Sequence, residues 1–353
     1  MNTLGERLRL TTFGESHGPA IGGVLDGFPS GIRIDFDFIA DEMRRRRPGQ
    51  SAVTTGRSEQ DDVEFLSGIL DGISTGAPIA FLIRNNDCFS ADYEELKDLY
   101  RPSHADYTYQ MRYGIRDWRG GGRSSARVTA PICVAGALAR LALEARLSDL
   151  DIYAFTSQIG DIATEPQDEM SFCREDSEAN PVRCPDAEKA ADMEDLIWQL
   201  RRDGDSTGGV VTCIIRGCPA GIGNPVFGKL HARLGAAMLG INAAKGFEYG
   251  DGFKCASMRG SECNDPFAVE DGDVVTLSNH SGGIQGGISN GQPIRFRVAF
   301  KPTPTIALPQ QTITTNGEAA TLEAAGRHDP CVVPRAVPIV ESLAALVLLD
   351  CIL

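Results

Sequence analysis

Arg119-Gly120-Gly121-Gly122-Arg123-Ser124-Ser125-Ala126-Arg127 is the stretch on which the reading of this chain turns. Three successive glycines adopt backbone conformations that other residues resist, so a ligand can approach the main chain closely. Three arginines and two serines beside them supply donors for phosphate or carboxylate oxygens. Straight afterwards, Val128–Leu147 spaces its apolar residues by three and four, the period of a helix. The unpaired N–H groups and positive dipole end of that helix would face the same anion. G-x-x-x-x-G-K and G-x-G-x-x-G are both absent, so neither a P-loop nor a Rossmann fingerprint is present.

Working outward, further helical spacing appears at Asp186–Arg202, Phe227–Ile241 and Ala336–Leu353. Strand patterns appear at Gly22–Leu25, Gly209–Ile215 and Ile294–Phe300. In the last, Ile294, Phe296, Val298 and Phe300 share one face, and Arg295 and Arg297 share the other. Helices and strands interleave without a regular βαβ beat, which predicts an α+β fold. The apolar C-terminal stretch contains Pro338, Glu341, Ser342 and Asp350. It reads as a core or interface helix rather than a membrane span.

The 353 residues are 42% hydrophobic and 23% charged, ordinary for a soluble globular protein. The net charge of -14 argues against a general nucleic-acid binder. The cations are concentrated nonetheless. Met43–Ser58 holds Arg44, Arg45, Arg46, Arg47 and Arg57 with no acid, and Arg101–Arg127 is also strongly basic. Leu147–Asp205 is acidic and reads as exterior, with Asp161–Asp186 a surface excursion. Basic loops in an acidic chain point to a local anion site. No Cys-x-x-Cys and no Cys/His pairing has zinc spacing, so no metal is expected and the cysteines read as reduced thiols of a cytoplasmic enzyme. Met1–Leu10 lacks an apolar signal core.

Other motifs are weaker singly. Gly14-Glu15-Ser16-His17-Gly18 fits the G-x-S-x-G pattern, but an extended run follows where a hydrolase needs a helix, so the match is coincidental. His17 remains a titratable residue between small ones. Four adjacent arginines, Arg44 to Arg47, cannot share one helix face, so at most two reach one ligand. Arg101-Pro102-Ser103-His104 reads locally as a turn. Gly282–Gly291 is a second glycine cluster. Lys301-Pro302-Thr303-Pro304-Thr305 joins one cation to rigid φ angles and hydroxyls. In Gly326-Arg327-His328-Asp329-Pro330, the proline keeps Asp329 out of the helical region.

Together these stretches resemble the chorismate synthase family. The resemblance is carried by Gly14 to Gly18, Arg123-Ser124-Ser125-Ala126-Arg127 with Thr129, and Gly326 to Cys331. It extends through His104 to Tyr109, Ile241-Asn242-Ala243 with Lys245-Gly246, and Lys301-Pro302-Thr303, in family order along essentially the whole chain. It implies one catalytic domain over residues 1–353, a β-α-β sandwich with a helical layer between antiparallel sheets, and a homotetramer. It implies a carbon–oxygen lyase acting on phosphates: 1,4-elimination of phosphate from 5-enolpyruvylshikimate-3-phosphate to give chorismate, in aromatic amino acid biosynthesis. Reduced FMN is required although there is no net redox change, and NADPH would serve as an indirect reductant. No nucleic-acid or membrane partner is implied.

The substrate carries about four negative charges, so a net acidic protein needs converging cations. Arg46, Arg47, Arg57, Arg101, Arg127 and Arg327 are the candidates; the resemblance places Arg46, Arg101, Arg127 and Arg327 in the substrate pocket. For FMN it implies Arg123, Ser124, Ser125, Asn242, Ala243, Gly286, Lys301, Pro302, Thr303, Pro304, Thr305 and Arg327. His17 is expected to protonate the departing phosphate, His104 to manage a proton on the flavin, and Asp329 to assist removal of the ring hydrogen. The chain departs from the family at Gly49-Gln50-Ser51-Ala52, where many members carry an arginine. Two rival classes predict different features. A flavin-dependent NADPH oxidoreductase needs a dinucleotide site, and a module for anionic polymers binds no flavin and is steeply salt-dependent.

Overall fold

Alternation in Ile294–Phe300 produces a strand whose even-numbered residues are buried. Arg295 and Arg297 on its other face pair with Glu169 and Glu248. This strand pairs antiparallel with Gly209–Arg216 on one side and Ala244–Tyr249 on the other. Asp151–Ile159 and Ile162–Ala163 extend the same five-stranded sheet. A second antiparallel sheet runs in the order Thr3–Leu4, Arg9–Phe13, Ala20–Asp26, Ile79–Arg84, Val63–Phe65. The computed structural model describes residues 1–47, 49, 61–86, 94, 96–323 and 329–353.

The α-helices among the described residues are α1 (Phe36–Arg46), α2 (Asp106–Tyr113), α3 (Ala130–Glu144), α4 (Arg174–Glu178), α5 (Ala187–Asp203), α6 (Leu230–Leu239), α7 (Gly260–Cys263) and α8 (Val333–Ile352). Helix α3 packs against the N-terminal sheet, and α8 packs against the strands Asp151–Ile159 and Gly209–Arg216 of the other. The two helices lie on each other between the sheets, so both are apolar around most of their circumference. The fold is α+β with a helical layer between antiparallel sheets. Segment 126–144, long and apolar enough to cross a membrane, is mostly buried in this layer.

Close packing of α3 on α8 depends on Gly136. A Cβ there would stand 2.2 Å from the Ser342 Cβ. Two carboxylates lock α8 in place. Glu341 accepts from the Ala154 N–H at 2.8 Å and from Arg45 at 2.6 Å, with Arg174 and Arg140 close by. Burial alone would raise its pKa, but Arg174, Arg45 and Arg140 hold it well below the usual carboxylate range. Asp350 accepts from the backbone N–H groups of Glu6, Arg7 and Leu8 and from Arg233, tying the N-terminal segment to the end of α8.

One sequence expectation is settled between its alternatives and one changes. Of the two alternatives for the C-terminal stretch, the structure shows a core helix, buried along nearly its whole length against α1, α3, α6 and the strands Asp151–Ile159 and Gly209–Arg216. The acidic Leu147–Asp205 stretch is not all exterior, since Tyr153, Phe155 and Ile159 are fully buried and Glu169 is paired with Arg295. The Gly14–Gly18 turn runs into the strand Ala20–Asp26, as the extended reading required.

Candidate active site

The end of the Ile294–Phe300 strand, the glycine loop and the first turns of α8 converge on a cleft of about 410 Å³. Its lining comes from five places: Arg101 to Ala105, Gly120 to Thr129, Ile241 to Ala243, Phe300 to Thr305, and Asp329 to Ile339. Arg46 from the end of α1 completes it. Gly120, Gly121 and Gly122 have φ of 63°, 96° and 53°, the left-handed region that favours glycine. A Cβ on Gly120 would lie 2.2 Å from His17 Cε1, and one on Gly121 would lie 3.0 Å from His104 Cε1. The two imidazoles therefore straddle adjacent residues of the loop, held close by the missing side chains.

The cleft is cationic. Arg46, Arg101, Arg127, Lys301 and Arg335 line it, against Asp329 as the one lining carboxylate among the described residues. Two further acids organise these cations. Asp61 accepts from Arg46 at 2.8 Å and also from Arg127. Asp106 accepts from Arg101 at 2.7 and 2.8 Å. Arg116 and the Nδ1 of His104 each stand 3.0 Å from the same carboxylate. Burial would raise the Asp106 pKa, yet hydrogen bonding from Arg101 and His104 holds it well below the ordinary range. Burial pushes the Arg46 guanidinium down; Asp61 opposes this, while Arg335 and Arg127 add to it. Arg335 also binds Asp329 at 2.5 Å.

The opposite wall is rich in hydroxyl and amide groups. Asn242 donates to the Ser124 carbonyl at 2.7 Å, and Ser124 Oγ donates to the Gly121 carbonyl at 2.7 Å. Lys301 Nζ donates to the Ser103 carbonyl at 2.9 Å. Burial, with Lys245 nearby, lowers its pKa. Ala243 is held at φ 69°, an uncommon conformation for a residue with a Cβ, and its carbonyl accepts from the Lys301 N–H. Thr303 Oγ1 is buried and meets no partner among the described residues. An unsatisfied hydroxyl, an ammonium and a small residue with strained backbone lining one cleft suit a phosphate-bearing flat cofactor, so these residues fit FMN.

Most sequence-predicted residues meet here. Arg46, Arg101, His104, Ser124, Ser125, Arg127, Asn242, Ala243, Lys301, Thr303, Pro304, Thr305 and Asp329 line the cleft. His17 sits behind Gly120, with Nδ1 3.0 Å from Ser16 Oγ. Four expectations differ. Arg47 caps the C-terminus of α1 and is not among the lining residues, because successive helix positions point in different directions. Arg123 turns back to the Gly14 carbonyl and to Thr12, bracing the strand Arg9–Phe13. Pro302 does not line the cleft although its neighbours do. Gly286 lies in the turn between Ile284–Gln285 and Ile288–Ser289, where the Ser289 N–H donates to the Ile222 carbonyl, before the start of the Ile294–Phe300 strand rather than after its end. A strand of that length separates its two ends by about 20 Å. Arg57, Arg327 and the departure at Gln50 to Ala52 lie outside the described residues.

Sequence reasoning missed Asp61, Asp106 and Arg335. Asp106 stands two residues beyond His104, a spacing that gave a signal. Asp61 and Arg335 gave none, since a lone charge far along the chain reveals no partner.

Comparison with known proteins shows the family and the fold. The family model described as "Chorismate synthase" matches residues 8–353. A chorismate synthase of Phocaeicola vulgatus is 59% identical over 349 residues, covering 99% of this chain and 97% of that protein. One from Porphyromonas gingivalis is 58% identical over 351 residues, covering 99% and 95%. A solved structure described as "Crystal Structure of Chorismate Synthase" superposes with a TM-score of 0.78 at 30% identity, covering 98% of this chain and 92% of that one.

Proposed function

The chain belongs to the chorismate synthase family and is accordingly a lyase of the shikimate pathway that eliminates phosphate from 5-enolpyruvylshikimate-3-phosphate to give chorismate, and on that premise we propose that the cationic cleft is its active site. The family uses reduced flavin. The single observation that carries the proposal is the convergence of five cations on one cleft in a chain of net charge -14.

Arg46, Arg101 and Arg127 bind the anionic groups of the substrate. Asp61 and Asp106 orient them, since a fixed fork binds an oxygen pair better than a mobile one. These arginines are already partly desolvated, so their attraction for an anion is stronger than in water. His17 carries a proton on its ring to the departing phosphate oxygen. His104, held through Nδ1 by Asp106, presents its other nitrogen toward Gly121 and holds a proton there. Asp329, anchored by Arg335, assists removal of the ring hydrogen. Ser124, Ser125, Asn242, Ala243, Lys301, Thr303, Pro304 and Thr305 would hold FMN. When bound in reduced form, FMN supplies the electron density that weakens the allylic C–O bond. Arg57, Arg327, Arg47, Arg123, Pro302 and Gly286 remain part of the proposed set without support from the lining of this cleft, and His17 reaches it only from behind Gly120.

We further propose that the chain acts as one catalytic domain in a cytoplasmic homotetramer, with NADPH as an indirect source of electrons and with no nucleic-acid or membrane partner. The exposed side chains of Phe227, Phe253 and Phe267 suit burial between copies. The test is anaerobic incubation with reduced FMN and 5-enolpyruvylshikimate-3-phosphate, following phosphate and chorismate absorbance. Wild-type chain releases the two in equal amounts without net flavin oxidation. His17→Ala loses at least about 100-fold in turnover while FMN affinity stays unchanged. Turnover within threefold of wild type would remove His17 from the mechanism.

A further inference from the structure

Arg335 occupies the first turn of α8, a costly place for a cation because the helix dipole is positive there. Its side chain is largely buried, and it faces the cleft near Arg46 and Arg127. One terminal nitrogen is used on Asp329. The Nε is buried and meets no acceptor among the described residues. A buried unpaired donor on a charged group is expensive and calls for an explanation. A ligand oxygen removes the expense. The substrate brings several anionic oxygens to this cleft, and guanidinium binds carboxylate or phosphate through paired nitrogens.

We propose that Arg335 is a further substrate-binding residue, whose Nε–H donates to an anionic oxygen of 5-enolpyruvylshikimate-3-phosphate while a terminal nitrogen holds Asp329. The inference rests on reading the cleft as the active site. One guanidinium thereby links the bound anion to the carboxylate that assists removal of the ring hydrogen, so binding and proton removal share an anchor.

The experiment measures affinity apart from turnover. The chain is loaded with oxidised FMN, which does not support the reaction, and substrate is titrated by calorimetry; FMN affinity is read separately from flavin fluorescence. Arg335→Ala raises the substrate Kd at least about tenfold, the scale of a lost charged hydrogen bond, and leaves the FMN Kd within about threefold. Arg335→Lys, which keeps the charge but not the Nε–H, falls between. Arg335→Gln carries the same readouts if the alanine variant does not fold by circular dichroism. A folded variant with unchanged substrate Kd overturns the proposal. So does a loss confined to kcat, which would make Arg335 a holder of Asp329 alone, or a loss confined to FMN. Ala105→Trp, which fills the cleft, separates the two levels. If it too leaves substrate affinity unchanged, the active-site reading falls and the Arg335 proposal with it. If it abolishes binding while Arg335→Ala does not, the Arg335 proposal alone is overturned.

Discussion

Replacing Gly120 by alanine tests the link between the glycine loop and the chemistry. At φ 63° an alanine pays roughly 1–2 kcal/mol for the left-handed conformation. It also meets an obstacle, because the new Cβ would stand 2.2 Å from His17 Cε1, whereas ordinary contact begins near 3.4 Å. The ring must retreat by about 1 Å, and a displacement of that size at a reacting group costs on the order of 100-fold in rate. That corresponds to about 2.7 kcal/mol in activation free energy. Gly114 supplies the control. It has φ 72° at the end of α2, and a Cβ there would meet nothing within 4 Å. Gly114→Ala therefore pays similar backbone strain and no clash. Thermal unfolding and steady-state chorismate formation are measured on both. Both variants lose stability, but Gly120→Ala alone loses turnover. Equal turnover in the two, or a Gly120→Ala enzyme within threefold of wild type, would refute the claim that this loop fixes His17.

Three further outcomes concern stability. Glu341→Gln leaves Arg45, Arg140 and Arg174 facing a neutral group in the core, and urea unfolding shows a loss of about 3–5 kcal/mol. Asp106 has a depressed folded pKa, so its contribution is complete above the unfolded value near 3.9 and is lost as pH falls from there toward the folded value. Asp106→Asn is therefore less stable than wild type at pH 6, and denaturation midpoints of the two converge at lower pH. A constant gap from pH 6 to pH 2 would contradict the ion-pair account. Gly136→Ala drives a methyl into Ser342 and lowers stability by about 1–3 kcal/mol or more, read as a fall in Tm.

The sequence determined the most strongly periodic helices and strands, because periodicity is a local property, but not α1, α2 or the strands Arg9–Phe13, Ile79–Arg84 and Asp151–Ile159. Ile294–Phe300 alternates strictly and forms a strand with those bounds. Val128–Leu147 repeats at helical spacing and holds α3. The glycine loop was legible for the same reason, since three glycines between arginines restrict backbone and charge together. Tertiary structure alone decided which charges meet. Arg44 to Arg47 are adjacent in the chain, yet helix rotation sends Arg45 to the Glu341 network and Arg46 to the cleft. Arg123 looks like Arg127 in the sequence but braces a strand instead. Asp61 joins the site only through its pairs with Arg46 and Arg127, and Arg335 only because the start of α8 comes to the end of α1 there. Contacts between distant residues depend on how the layers pack, and no local pattern encodes that.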